Sequence, residues 1–180
     1  MSANPPAPET RDGRRQRSEV SRERIVAAML ELVSEGDVTP SAEAVAVRAG
    51  VGLRTVFRHF ENMESLYQQL NALISAQVLP LAQRPFQSSD WREQLKEMVE
   101  RRATIFERIM PIKVAADIHR HRSPYLAGQT AQMVREQRAA IAAVLPERLR
   151  DDPTVVDSLD LLLSFDAWRR LRLDQGLNRH

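Results

Sequence analysis

The sequence predicts an all-α protein, with a three-helix, helix-turn-helix head near the N-terminus and a helical bundle behind it. Apolar residues recur every three or four positions along most of the chain, which is the spacing of one buried helix face. Two short helical stretches flank Gly50, as in a helix-turn-helix pair. The sequence contains no alternating strand pattern, hairpin turn or internal repeat, so we expect helices throughout.

The composition fits a small protein with a hydrophobic core. Of the 180 residues, 43% are hydrophobic, and none is cysteine, which excludes disulfides, thiolate metal sites and a cysteine nucleophile. No stretch approaches the roughly 18 consecutive apolar residues of a membrane span, and the N-terminus lacks the apolar block of a secretory signal. We therefore expect a cytoplasmic protein without membrane contact.

Residues 1–17 are predicted to form a flexible basic arm. The segment is rich in proline and polar residues, and it ends in an arginine cluster at Arg11, Arg14, Arg15 and Arg17. The arm is either a solvated leader or a segment that touches phosphate or enters a minor groove. Net charge is only +2, so the position of the charges matters more than their sum.

Four helices are predicted between residues 21 and 80. Their expected spans are Ser21 to Gly36, Ser41 to Ala49, Leu53 to His59, and Asn62 to Pro80. Serine and asparagine are favoured at helix N-termini, and glycine at helix ends. We place the head at residues 18–62 and the body at residues 63–180.

Three long helices are predicted in the body. The first begins at Asp90, which is expected to form a reciprocal cap with Glu93, and a break is expected at Pro111. The second begins at Ser123, with a proline in its first turn. The third spans residues 156–174.

Two charged residues interrupt the apolar faces of these body helices. Arg102 lies within the face of the first helix, and Asp166 lies in the apolar run of the third. Asp166 is expected to pair with Arg170, one turn later, on a solvated face.

The segment AVRAGVGLRTVFRHF, residues 46–60, meets the steric requirements of a helix-turn-helix. Ala46 is small enough for the two helices to approach closely, and Gly50 can take the positive φ of the tight turn. Val51 and Val56 are expected to close the core beneath.

The outward side of this segment suits DNA. It carries Arg54, Thr55, Arg58 and His59, and no acidic residue between positions 43 and 61 repels phosphate. Helix-turn-helix pairs are also common in helical proteins that read no DNA, so the pattern alone leaves both interpretations open.

Residues 24–70 resemble the DNA-binding head of TetR-type bacterial regulators. The shared pattern runs through an alanine-glycine turn to a threonine, an aromatic residue and a histidine-phenylalanine pair. The body resembles a subset of that family more weakly, at residues 122–124 and at FDAWRRLRLDQGL. The resemblance implies a homodimer that binds a palindromic operator in double-stranded DNA, acts most often as a repressor, and is released by a small-molecule effector.

The resemblance also implies which residues contact DNA. They are Ser41, Gly52, Leu53, Arg54, Thr55, Phe57, Arg58 and His59. Two positions depart from the family pattern, because Gly52 replaces a capping serine and Met63 replaces a lysine near the phosphate. Both departures remove polar DNA contacts, so binding is expected to weaken without vanishing. Asn62 either compensates by contacting the same phosphate or caps the helix.

The candidate effector pocket is lined by aromatic residues, methionines and one histidine. The candidates are Phe106, Met110, His119, Met133, Phe165 and Trp168, although each also fits ordinary core packing. No metal site or cofactor is expected, since His119 and His121 lie on different sides of a helix and only Asp117 shares a face with His121.

Two other classes of function compete with a DNA-binding regulator. An enzyme is disfavoured, because the sequence has no nucleophile elbow, glycine-rich phosphate loop or metal-ligand spacing. A helical ligand-sensing or protein-interaction module with a degenerate head is the main alternative, motivated by Gly52, Met63 and the early end of the chain. The family usually has a further helix after a segment like DQGL, so dimerisation is expected to use a smaller interface or residues 155–173 alone.

Overall fold

The computed structural model describes residues 11–178. Within them it contains nine α-helices, one π-helical turn and no strand, so the predicted all-α fold with a helix-turn-helix head and a helical body is confirmed. The helices are α1 (Arg11–Ser34), α2 (Ala42–Ala49), α3 (Leu53–His59), α4 (Met63–Ala82), α5 (Trp91–Arg120), α6 (Pro124–Val144), α7 (Glu147–Arg150), α8 (Pro153–Leu162) and α9 (Phe165–Arg169), followed by the π-helical turn Arg170–Asp174. The chain divides into two compact units, with the boundary between Leu70 and Asn71, inside α4.

The first unit is built from α1, α2, α3 and the opening turns of α4. Its largest fully buried side chains come from all four helices, namely Ile25, Met29, Val33, Val45, Val56, Leu66 and Leu70. The three on α1 are spaced four residues apart, so they form one stripe that packs against α2 and α3. Burying each such side chain contributes about 1.5–3 kcal/mol.

The turn between α2 and α3 is set by Gly50. This residue has φ 62° and ψ 41°, which is the left-handed region that favours glycine. Its N–H donates to the carbonyl of Val47 at 3.1 Å, and the Val51 N–H donates to that of Ala46 at 3.0 Å. These two bonds form a Schellman motif, which satisfies the last carbonyls of α2 and reverses the chain toward α3.

The second unit contains two apolar clusters. The first is centred on Met98 of α5, Ile141 and Val144 of α6, and Val156 of α8. The second joins Phe106 and Ile109 of α5 to Phe165 of α9, with Ile74, Val78 and Trp168 packed around them. Helix α5 therefore contributes to both clusters.

The start of α1 corrects one prediction. The helix begins at Arg11 rather than near Ser21, so the flexible arm predicted over residues 1–17 is wrong for residues 11–17. These residues carry no apolar stripe and were invisible to periodicity, but arginine and glutamine have high helix propensity and extend a helix into solvent. Residues 1–10 of the predicted arm lie outside the described residues.

The N-terminus of α5 is capped differently from the prediction. Asp90 caps the helix, since its Oδ1 accepts from the N–H groups of Arg92 and Glu93 at 2.9 and 3.2 Å. The reciprocal bond from Glu93 is absent, because the Asp90 N–H instead donates to the Ser88 hydroxyl and Glu93 pairs with Lys96. A serine two residues upstream therefore takes the place of the expected glutamate.

Pro111 does not end α5, contrary to the prediction. The helix continues through it to Arg120. Proline removes one helical N–H, but Ile109 and Ile112 on either side are buried, and α5 packs along α6. Tertiary burial therefore outweighs the local cost of the lost hydrogen bond.

The last predicted helix, residues 156–174, is divided in the structure. Helix α8 ends at Leu162, and α9 begins at Phe165 after the N-cap Ser164, whose Oγ accepts from the Ala167 N–H at 3.1 Å. The apolar pattern runs on across this break, so periodicity does not reveal it. Asp166 pairs with Arg169 at 3.8 Å and not with the predicted Arg170.

Gly50→Ala is expected to lower the free energy of unfolding of the first unit by about 1–2 kcal/mol, because an L-residue is strained in the left-handed region. Its Cβ would also lie 2.7 Å from Arg24 Nη2. Urea denaturation followed by far-UV circular dichroism measures the change.

Gly52→Ser is the matched control. Gly52 has φ −73° and no neighbour within 4 Å of an added Cβ, so serine is expected to stabilise the protein by a few tenths of a kcal/mol as an N-cap. Equal destabilisation by both substitutions would contradict the assignment of the turn to Gly50.

Candidate functional site

Helix α3 presents most of its surface outward. Val56 is its buried side chain, with 1% of its area exposed, and it fixes α3 on the core of the first unit. Leu53 and Phe57 lie one turn apart on the exposed surface, and Phe57 is 50% exposed. The helix is therefore anchored from one side and open on the other.

The basic and polar residues of α3 lie on this open side. Arg54 and Arg58 are exposed and one turn apart, and Thr55 is half-buried beside them. Among the described residues, neither arginine forms an ion pair with a carboxylate. Their positive charge is available to an anionic partner.

The N-termini of α2 and α3 differ in their capping. Ser41 caps α2, since its Oγ accepts from the Ala44 N–H at 3.2 Å. Gly52 precedes α3 in extended conformation and supplies no side-chain cap. The Gly52 carbonyl accepts from the Thr55 N–H at 2.8 Å, while the first N–H groups of α3 have no capping side chain.

Arg48 is a basic residue of α2 that sequence reasoning did not assign. Its guanidinium forms a bidentate pair with Glu35, at 2.8 and 2.7 Å, and also contacts Glu31 at 3.4 Å. The hydrogen bond from Arg48 lowers the pKa of Glu35. Arg48 therefore joins α2 to α1, and its charge is matched within the protein.

His59 lies half-buried at the end of α3. Its Nε2 is buried and has no hydrogen-bond partner among the described residues. Burial lowers the pKa of His59, and the positive charges of Arg58 and Arg22 lower it further, against a smaller opposing effect of Glu19. The neutral imidazole is therefore favoured at this position.

Asn62 acts as a helix cap in the structure. Its Oδ1 accepts from the Ser65 N–H at 2.9 Å, and the Ser65 hydroxyl donates to the Asn62 carbonyl at 2.7 Å. Met63, the first residue of α4, is half-buried. The side chain of Asn62 is thus engaged within α4, as the simpler of its two interpretations requires.

The second unit contains a cavity of about 800 Å³ between α4, α5 and α6. Its wall is mainly apolar, with contributions from Phe86, Met98, Ile105, Phe106 and Met133. Its volume lies in the range of sites that bind small organic molecules.

Five of the six pocket candidates from the sequence lie in this cavity or in the neighbouring cluster. Phe106 and Met133 line the cavity. Phe165 packs edge-to-face on Phe106 with ring centroids 5.6 Å apart, and Trp168 lies 6.4 Å from Phe106. Met110 packs in the same cluster, and His119 lies further along α5, where burial lowers its pKa.

Arg102 is the cavity residue that sequence analysis recognised only as an interruption. It lies among the lining residues with 8% of its area exposed, and it donates to the carbonyls of Gln137 at 2.8 Å and Leu163 at 3.2 Å. The signal available in the sequence was a charge inside an apolar helix face. Its partners are 35 and 61 residues away, so the sequence does not indicate them.

Residues 11–178 contain no group of three or more potential metal-ligating side chains. Asp117 pairs with Lys113 on the same face of α5. None of the helices described is both long enough and apolar enough to cross a bilayer.

The chain matches no family model and no curated protein. It is similar in structure to a proposed transcriptional regulator from Streptomyces coelicolor A3(2). The two share 23% sequence identity with a TM-score of 0.61, and the match covers 89% of each chain. At this identity the likeness establishes a shared fold.

The first unit is expected to lose stability as the pH falls through about 6.5, since the pKa of His59 is lowered in the folded state. As the pH falls, the histidine of the unfolded chain is protonated before His59 of the folded chain. The stability that His59 contributes is therefore complete above the ordinary histidine pKa and is lost as the pH falls toward the lower pKa of the folded state. Histidine Cε1–H titration by NMR should give a midpoint for His59 below that of an unfolded peptide.

The midpoint of urea denaturation, measured at several pH values between about 7.5 and about 5.5, provides the second readout. His59→Gln is expected to reduce their pH dependence, and His121→Gln, in the second unit, is the background control. A His59 midpoint at or above the peptide value would contradict the expected direction.

Proposed function

We propose that this protein is a TetR-type transcriptional regulator that reads DNA with α3, and not an enzyme. The observation that carries the proposal is the arrangement of α3, with Val56 buried on one side and, on the other, Arg54 and Arg58 without an ion pair in the part of the chain that the structure describes. A helix of this kind fits the major groove, which is wide enough to admit it. The shared fold of the Streptomyces protein, itself a proposed regulator, supports this assignment.

The proposed contacts divide into two classes. Arg54 and Thr55, near the start of α3, are placed to reach base edges or nearby phosphates, and Arg58 adds a cation one turn later. Ser41, Gly52 and Leu53 lie at helix N-termini that suit phosphate. An arginine fork on guanine gives about 1–3 kcal/mol of discrimination, whereas a phosphate contact gives affinity and salt dependence.

Phe57 and His59 are proposed to pack on the DNA backbone. The exposed ring of Phe57 suits apolar contact with sugars, while the neutral state favoured for His59 suits a hydrogen bond more than an ion pair. Arg48 is left out of the contact set, because Glu31 and Glu35 already match its charge.

We further propose that the regulator works as a homodimer on a palindromic operator. Large leucine side chains are exposed on α8 and after α9, namely Leu161, Leu162, Leu171, Leu173 and Leu177. Such surfaces commonly mark protein interfaces. Two copies would place two α3 helices about 34–36 Å apart, which is one turn of DNA.

The cavity between α4, α5 and α6 is the proposed effector site, and repression relieved by the effector is the proposed outcome. The protein would then act in the cytoplasm, at the nucleoid when bound to DNA. The alternative, a ligand-sensing or interaction module with a degenerate head, is favoured by the missing cap at Gly52 and by Met63 in place of a cation.

Arg54→Ala is expected to weaken binding to operator DNA, because it removes an unpaired cation from the exposed face of α3. Fluorescence anisotropy with the upstream DNA of the gene and with a scrambled duplex, at about 50 and about 150 mM salt, measures the effect. The native protein should bind the upstream DNA at least ~10³-fold more tightly than the scramble. Arg148→Ala, which removes an exposed arginine of α7, is the control and should leave operator affinity unchanged. If the operator lies outside the upstream DNA, selection from a library of genomic fragments identifies it.

Met63→Lys separates the two functions. In a functional head it is expected to raise operator affinity modestly and to steepen the dependence of log affinity on log salt by about one unit, since one more phosphate is neutralised. In a degenerate head, Met63→Lys should raise only the affinity for the scrambled duplex. That second result, together with equal binding of the native protein to all genomic sequences, would favour the interaction module.

A further inference from the structure

The cavity of the second unit contains a buried cation with no carboxylate partner. Arg102 lines the cavity and is almost fully buried. No carboxylate in the described part of the chain forms an ion pair with its guanidinium. Burial lowers the pKa of Arg102, while the more distant charge of Asp160 raises it by a smaller amount.

The guanidinium retains unused hydrogen-bonding capacity. Arginine has five N–H donors, and Arg102 directs one to the Leu163 carbonyl and one to the Gln137 carbonyl. The other donors have no protein partner among the described residues. A buried charge without a counter-ion is costly, so a ligand that supplies an anion gains more here than at a solvated arginine.

The other charged residues of the cavity wall are more exposed than Arg102. Arg101 donates to the Ala82 carbonyl at 3.2 Å, and its guanidinium lies 4.7 Å from the ring centre of Phe86. Glu136, the acidic residue of the wall, accepts from the Gln132 amide at 2.6 Å. Arg84 also lines the cavity but is exposed, so Arg102 is the cation of the wall that is buried.

We propose that the cavity binds an amphiphilic monocarboxylate, whose carboxylate pairs with the unused N–H groups of Arg102 and whose apolar body packs against Phe106, Met98 and Met133. A planar carboxylate matches the arginine fork in a bidentate pair. The volume of about 800 Å³ leaves room for an apolar body of the size of a drug molecule or an acyl chain. Only the regulatory consequence of binding rests on the proposed function.

Sodium octanoate and 1-octanol, titrated into the full-length protein by isothermal calorimetry without DNA, test the proposal. The two probes share an alkyl chain and differ in charge, and octanoate is expected to bind at least about tenfold more tightly. Arg102→Gln is expected to reduce this ratio below about threefold while leaving octanol affinity within about twofold. Arg101→Gln, a neutralised arginine of the same wall, should preserve the ratio.

Equal affinity of the native protein for the two probes would overturn the proposal, and so would an equal loss of preference in the Arg101 and Arg102 variants. If Arg102→Gln fails to fold by circular dichroism, Arg102→Lys replaces it. This variant keeps the positive charge but loses the bidentate geometry of the guanidinium. Its ratio of octanoate to octanol affinity should therefore be lower than that of the native protein but still above one.

Operator binding, measured by anisotropy on the same preparation, separates the carboxylate site from the proposed regulator. Binding of octanoate by a protein that reads no DNA supports the carboxylate site and contradicts the regulator. Operator binding by a protein without octanoate preference supports the regulator and contradicts the site.

Discussion

A helix of seven residues is too short to be stable in water by itself, because its few hydrogen bonds do not offset the cost of nucleation. Helix α3 therefore depends on the burial of Val56 and on the turn at Gly50 that directs the chain back to the core. One face of α3 therefore carries the stability, and within residues 11–178 Arg54 and Arg58 on the other face form no ion pair.

The sequence predicted the helices whose ends are chosen by local chemistry. Helices α2 and α3 follow the predicted spans closely because Ser41 and Gly50 act within a few residues of their own positions. It failed at Pro111, where distant packing carries α5 past the proline, and at Ser164, where a local cap is hidden within an unbroken apolar pattern. The early start of α1 was not predicted for a third reason: solvated helix turns leave no apolar periodicity in the sequence.

The candidate sites show the same contrast between features set by the local sequence and features set by distant residues. The exposure of Arg54, Arg58 and Phe57 was predictable, because helical spacing together with a buried Val56 determines which residues face away. The pairing of Arg48 and the burial of Arg102 were not predictable from the sequence. Arg48 pairs with glutamates 13 and 17 residues away, and Arg102 donates to carbonyls on two different elements. The number of arginines in the sequence therefore does not show which of them are paired, as Arg48 is, or buried, as Arg102 is.

Gly52 is a position at which the head can accept a side chain. Its ordinary φ and the empty space around its Cα mean that a side chain can be added there without moving the backbone. A serine there would supply a helix cap and a hydroxyl at the start of α3. The chemistry of the exposed surface at the start of α3 can therefore be altered independently of the fold.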